Sequence, residues 1–203
     1  MGKPIMAYSI GAALESGLFD EVMVSTDDDE IAQVARQYGA QVPFMRSAET
    51  ANDYASTADV LTEVLDRYLA EGKSFESFCC LYSTAPFVTA EKLQGAYRLM
   101  TGEVDATFTV VEYSYPIQRS LKVSRDGFVE MNFPEHRSSR SQDLEKTYHD
   151  AGQFYFVKTQ AFLNERTLWC RRTAPFVLSE LEVQDLDTET DWKLAEMKYR
   201  LIT

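Results

Sequence analysis

Histidine and cysteine are both scarce: His136 and His149 are the two histidines among 203 residues, and Cys79, Cys80 and Cys170 are the three cysteines. Cysteines so few and so oddly spaced make no disulfide framework, and with these histidines they make no zinc ligand set. They read as reduced thiols of a cytoplasmic protein, with Cys79 and Cys80 packed in a strand. Long apolar runs are missing too. No stretch approaches the roughly 18 uninterrupted apolar residues of a membrane span, and the N-terminus lacks the basic region, apolar run and cleavage site of a signal peptide. The expectation is a cytoplasmic protein with no membrane partner. Positive charge is short as well, since 20 Lys and Arg stand against 32 Asp and Glu, a formal net charge of -12. A surface that follows nucleic acid or an anionic membrane needs clustered Lys and Arg, so neither partner is expected. An anionic substrate must be met by a local basic pocket.

What is present suits one folded unit. Apolar residues make up 45% and charged residues 26%, ordinary globular usage, and the length predicts a single domain over 1–203 with room for a small appendage. Pro4 to Ser16 carries apolar side chains at helical spacing and stops at Gly17. Glu21 to Thr26 is a β-branched run of the kind buried in a parallel sheet, ending in Asp27, Asp28 and Asp29. The alternation continues with a helix over Glu30–Tyr38, an extended piece at Gln41–Met45, a helix at about Thr57–Ala70, an apolar run Phe75–Tyr82, a helix from near Thr89 and a strand over Ala106–Val111. Between Glu112 and Tyr148 the pattern breaks: Leu121–Val123 and Phe128–Met131 flank an Arg125-Asp126-Gly127 turn, which predicts an inserted hairpin arm over about 113–142. Beyond it come a strand at Gln153–Val157, a short helix near Thr159–Asn164, a strand near Pro175–Leu178 and a terminal helix at about Thr188–Leu201. Strands alternating with helices of this length predict an α/β fold, its mostly parallel sheet carrying helices on both faces.

Four clusters could carry chemistry. Asp185 and Asp187, two apart in an extended segment ahead of the last helix, can share one hard cation that also binds phosphate oxygens. The alternative is that Asp187 or Thr188 caps the helix and Asp185 is a solvated loop acid. Ser25 and Asp27 end a strand where α/β sheets gather ligands, although Asp27, Asp28 and Asp29 also suit a helix start. Tyr82, Ser83 and Thr84 form a second strand tip, able to stack on a base and donate to polar atoms; equally, Tyr82 could end the core while Pro86 stiffens the turn. The fourth cluster is Tyr148-His149-Asp150-Ala151-Gly152-Gln153-Phe154-Tyr155, polar groups around a glycine that permits close backbone approach. His149 and Asp150 are adjacent, so in an extended chain they point to opposite faces and make no direct catalytic pair. Arg46, Arg119, Arg137 and Arg140 are the candidate source of local positive field, since arginine grips carboxylate or phosphate in a bidentate fashion.

In order along the chain, Gly2-Lys3-Pro4-Ile5, Val24-Ser25-Thr26-Asp27, the Arg46 segment with Asp53, Ser83-Thr84-Ala85-Pro86, Arg140-Ser141-Gln142-Asp143 and Asp185-Leu186-Asp187-Thr188-Glu189 resemble the acylneuraminate cytidylyltransferases. The Cys79–Phe87 and Tyr148–Tyr155 stretches look most like the pseudaminic acid branch, with Tyr82 where sialic acid relatives carry glutamine. The resemblance implies a Rossmann-like nucleotide-diphospho-sugar transferase fold with the hairpin as a homodimerisation arm. It implies transfer of CMP from CTP to the anomeric hydroxyl of a nonulosonic acid, with release of pyrophosphate. Mg2+ on Asp185 and Asp187 would be the cofactor. Ser25, Asp27, Tyr82, Ser83 and Thr84 would meet the nucleotide, and Arg140, His149, Asp150, Gln153 and Tyr155 the sugar.

The same resemblance implies a strand and a basic glycine-containing loop ahead of Gly2-Lys3-Pro4, which this sequence does not show. A cradle for the triphosphate is therefore expected to be missing from the chain as it stands. Two alternatives remain at the level of sequence: a nucleotide-binding or dimerising relative without turnover, and the same enzyme type acting on a sialic or legionaminic acid.

Overall fold

The computed structural model describes residues 2–202. Local chemistry sets most helix ends. Helix α1 (Met6–Ser16) stops at Gly17, whose φ of 64° lets its N–H turn back to the Leu14 carbonyl. Helix α2 (Asp29–Gln37) starts where the Asp28 carboxylate accepts from the Glu30 and Ile31 amides at 2.8 and 2.9 Å, so the acidic run at 27–29 does serve a helix start. A reciprocal Ser56–Asp59 capping box opens α3 (Thr57–Ala70). Strand β1 (Ser77–Leu81) is followed by α4 (Ala90–Tyr97), capped by the Thr89 hydroxyl.

Strand β2 (Ala106–Glu112) leads into the arm, where β3 (Leu121–Val123) and β4 (Val129–Met131) pair antiparallel as a separate two-stranded sheet. The chain returns as β5 (Tyr148–Lys158), followed by α5 (Thr159–Glu165), β6 (Thr173–Leu178) and α6 (Glu189–Ile202). The central sheet has the order β1-β5-β2-β6. Its β2–β6 pair is parallel, while β5 runs antiparallel to both β1 and β2. The α/β class thus stands, with more mixed strand directions than a mostly parallel sheet. The reason is the connection: β2 is followed by an arm rather than a crossover helix, so the chain comes back beside β2 in the opposite sense.

The β-branched run at 21–26 also departs from expectation. Instead of a full strand it makes one parallel bridge, Met23 to Gln41, held by Val24 N–H to Gln41 O at 2.9 Å and Gln41 N–H to Val22 O at 2.8 Å. The extended piece at 41–45 likewise contributes only that bridge. Composition suits both segments to a strand, but a ladder needs a neighbour along its length, and these two make one ladder step at Met23–Gln41 before separating, to meet again where the Arg46 amide donates to the Thr26 carbonyl at 2.8 Å.

Side chains alternate across β5 as a strand dictates. Phe154 and Phe156 pack beneath α1 and α4 with Ala12, Ala13, Leu93 and Ala96. Tyr155 and Val157 turn to the other face, against Phe108, Phe162 and the apolar side of α3. Helices therefore cover both faces, and Phe87, Phe154, Phe156 and Phe162 are the largest closed side chains. Against β2 the register of β5 slips: Phe108 pairs with Tyr155 but Val110 with Asp150, so the β5 side is bulged over 151–154. Gly152, at φ 61°, sits in that bulge. The bulge re-aims the strand where the main cavity opens.

Candidate active site

A cavity of about 500 Å3 lies at the end of the sheet, lined by Tyr82 after β1, by Val111 and Glu112 at the end of β2 and Ser114 after it, by the β5 bulge, by Glu180 and Val183 to Asp185 ahead of α6, and by Lys198. One wall is built on Asp150. Its Oδ1 accepts from the Gly152 amide at 2.9 Å and its Oδ2 from the Tyr155 hydroxyl at 2.7 Å. Burial first, and then the neighbouring Asp150 carboxylate, push the Tyr155 phenol far above its usual range, so it remains a donor. The Tyr155 ring is fixed between Tyr82 and Phe108, with both centroids at 5.5 Å. His149 meets the backbone of Asp150 rather than its carboxylate: Nδ1–H donates to the Asp150 carbonyl at 2.8 Å. A carbonyl can only accept, so Nδ1 carries a proton there, and Nε2 is the nitrogen that faces away from this bond. The Tyr113 ring packs beside it at 4.8 Å.

The opposite wall is the turn at 180–182 and the extended segment after it. A Ser179–Glu182 capping box shapes the turn. Lys92 pairs with the Glu182 carboxylate at 2.8 Å and donates to the Phe87 carbonyl at 2.7 Å. Gln153 Nε2 donates to the Glu182 carbonyl at 2.5 Å, which ties the two walls together. Thr188 and Asp191 form the reciprocal cap of α6, so Thr188 rather than Asp187 starts the helix and Asp187 is not consumed by capping. Asp185 lines the cavity, with its Oδ1 accepting from the Leu186 amide at 3.0 Å.

Of the residues expected from sequence, Tyr82, His149, Asp150, Tyr155 and Asp185 come together around this cavity. Gln153 lies beneath it, 3% exposed and turned to Glu182. Asp187 is exposed and outside the lining. Ser25 receives Arg46, whose Nε donates to Ser25 Oγ at 3.1 Å, and Asp27 is exposed beyond it. Ser83 and Thr84 are exposed on the turn after β1. Arg140 is engaged within the arm by Asp143, at 2.7 and 3.2 Å. Sequence reasoning missed Glu112, Glu180, Gln184 and Lys198. For Lys198 a signal existed: it lies three residues after buried Ala195 on α6, a cation on the stripe that should be apolar.

No group of three or more His, Cys, Asp and Glu side chains is placed to hold a metal ion among the described residues. Asp185 and Asp187 still suit Mg2+ by their chemistry. Both offer hard oxygen, and magnesium is held by one or two carboxylates while waters and substrate phosphates complete its shell. Among the described residues, no helix is long and apolar enough to cross a membrane.

Comparison with known proteins places this geometry. The pseudaminic acid cytidylyltransferase of Campylobacter jejuni subsp. jejuni serotype O:2 is 40% identical over 202 residues, covering 99% of this chain and 87% of that protein. The CMP-N,N'-diacetyllegionaminic acid synthase of Legionella pneumophila is 32% identical, over 96% of this chain and 84% of the other. In fold the chain is similar to a CMP:2-keto-3-deoxy-manno-octonic acid synthetase solved in complex with CTP, with a TM-score of 0.66 at 16% identity, covering all of this chain and 89% of that one. The family profile described as Cytidylyltransferase matches residues 1–198, and the chain belongs to that family.

Proposed function

We propose that the protein joins CMP from CTP to the anomeric hydroxyl of a nonulosonic acid, pseudaminic acid in the first instance, and releases pyrophosphate. The observation that carries this reading is the cavity itself, where Asp185 on one wall faces the Tyr148–Tyr155 segment on the other. The 40% identity to a pseudaminic acid cytidylyltransferase favours that sugar.

Roles follow from what each group can donate or accept. His149 Nε2 accepts from a sugar hydroxyl, Asp150 holds Tyr155 and Gly152 in place, and Tyr82 supplies an aromatic face. Gln153 acts from beneath by holding the far wall, with Oε1 unpartnered and buried. Ser25 and Asp27, just beyond the Met23–Gln41 bridge, and Ser83 and Thr84, on the turn after β1, are assigned to the nucleotide. Asp185 and Asp187 would hold Mg2+, which when bound neutralises phosphate charge and lowers the pKa of the attacking hydroxyl. No protein base is then required.

The arm is assigned to a homodimer contact. Leu121, Val123, Phe128 and Val129 are exposed on its hairpin, and an isolated two-stranded hairpin is marginal in water. Arg140 would reach the sugar from the arm after exchanging Asp143 for the substrate carboxylate.

The test is pyrophosphate release from CTP and Mg2+ with pseudaminic, sialic and legionaminic acids in parallel. Turnover is expected with pseudaminic acid foremost and lost in Asp187→Ala by more than about 100-fold. Unchanged turnover in that variant removes the metal assignment, and faster turnover with another sugar replaces the substrate.

A further inference from the structure

Among the described residues, Lys198 is the one lysine or arginine lining a cavity whose acidic residues are Glu112, Asp150, Glu180 and Asp185, and it pairs with none of these carboxylates. Its ammonium donates to two backbone carbonyls of the opposite wall, Val183 at 2.6 Å and Glu180 at 3.1 Å. Of the two carbonyls between them in the chain, that of Glu182 is taken by Gln153 at 2.5 Å. Side chains from three elements, α4, β5 and α6, thus converge on one short turn: Lys92 on the Glu182 carboxylate, Gln153 on its carbonyl and Lys198 on the carbonyls at either side.

That turn has no ladder of its own, since 180–182 is a single helical turn and 183–188 belongs to no helix or strand. Carbonyls in such a segment are free to reorient unless donors hold them. Asp185 follows Val183 by two residues, and a carboxylate that must share a cation with phosphate oxygens needs its backbone fixed to within a fraction of an ångström. Among the described residues, the Asp185 carbonyl accepts only from the neighbouring Gln184 Nε2, at 3.1 Å, and Val183 is the carbonyl ahead of it that α6 holds through Lys198.

We propose that Lys198 is a positioning residue for Asp185: by holding the Glu180 and Val183 carbonyls it fixes the wall that presents Asp185 to Mg2+. The assignment rests on the magnesium role given to Asp185 above. It predicts that removing the ammonium loosens the segment and weakens metal binding while the sugar is still recognised. It also explains a cation on the inward stripe of α6, where lysine is otherwise disfavoured.

The experiment compares the wild type with Lys198→Met, which keeps the apolar stem, and Lys198→Arg, which restores donors. Hydrogen exchange at the amides of 181–186 is read without substrate. Calorimetric titration of Mg2+ in the presence of CTP reads the metal, and steady-state kinetics separate the Mg2+ half-saturation from the KM for the sugar. Expected in Lys198→Met are at least tenfold faster exchange in that segment and at least tenfold weaker Mg2+ binding. The KM for the sugar changes less than threefold, and Lys198→Arg recovers most of the loss. A raised KM for the sugar with unchanged Mg2+ affinity overturns the proposal in favour of direct contact with substrate. Unchanged exchange overturns it as well. If the wild type turns over none of the three sugars, the functional reading fails, while exchange and Mg2+ titration still decide the role of Lys198.

Discussion

Strand β5 and the arm hairpin are written in similar residues, yet they end in opposite states. Phe154, Phe156 and Val157 are at most 2% exposed, whereas Val123 and Phe128 are each 71% exposed and Val129 is 66% exposed. The difference lies in what each strand meets. β5 has a strand on both edges and helices on both faces; β3 and β4 have each other and no covering element among the described residues. Apolar alternation specifies which face wants burial, and the rest of the fold decides whether anything is there to bury it.

The largest expected effect falls on the arm. If its apolar face closes against a second copy, the double substitution Val123→Asp with Phe128→Asp should raise the dimer dissociation constant by more than about 1000-fold, since two such side chains are lost from each half of a symmetric contact. Sedimentation equilibrium reads this, and far-ultraviolet dichroism should stay unchanged. A chain that remains dimeric with both aspartates in place breaks the comparison.

A smaller effect is expected in the cavity wall at Glu182. Burial alone would raise its pKa, but the Lys92 ammonium and the hydrogen bonds from Ser179 outweigh that and hold it below the ordinary glutamate value of 4.5. A carboxylate whose folded pKa is depressed adds stability in full above its unfolded pKa and loses it as pH falls through the folded value. Urea denaturation should therefore show stability declining below about pH 4.5. Glu182→Gln should cost about 1–3 kcal/mol at pH 7 and flatten that decline. An identical acid profile in the variant would assign the pH dependence elsewhere.

Gly152→Ala comes next, at about 1–2 kcal/mol, because a side chain at φ 61° is strained. Space is not the obstacle, as a Cβ there would meet nothing within 4 Å. A neutral result would show that the bulge relaxes. The mildest change is Tyr155→Phe, expected to cost about 1 kcal/mol by removing the bond to Asp150. The same measurement on Phe128→Leu in the arm should give almost no change in monomer stability, and this sharpens the contrast between the two regions.

Much of this architecture is legible in the chain. Gly17, Ser56 with Asp59, Thr89 and Thr188 with Asp191 mark helix ends through hydrogen bonds between near neighbours, which is why local sequence suffices to place them. The Arg125-Asp126-Gly127 turn announces the arm for the same reason. Glu21–Thr26 reads as a strand and forms only a bridge, because strand formation depends on a neighbour that no local pattern supplies.

The site divides along the same line. Sequence alone picked out the candidate site residues, namely Asp185, Asp187 and the Tyr148–Tyr155 stretch, and it determined that positive charge would be scarce. Tertiary structure decided which of them share a cavity. It brought Asp185 opposite Tyr155, sent Gln153 beneath the floor, left Ser83 and Thr84 exposed on their turn, and placed Lys198 on the carbonyls of a turn 15 and 18 residues earlier in the chain. The physical reason is range: caps and turns are settled by groups a few residues apart, whereas a cavity wall is settled by donors and acceptors that meet only once the sheet and its helices have packed.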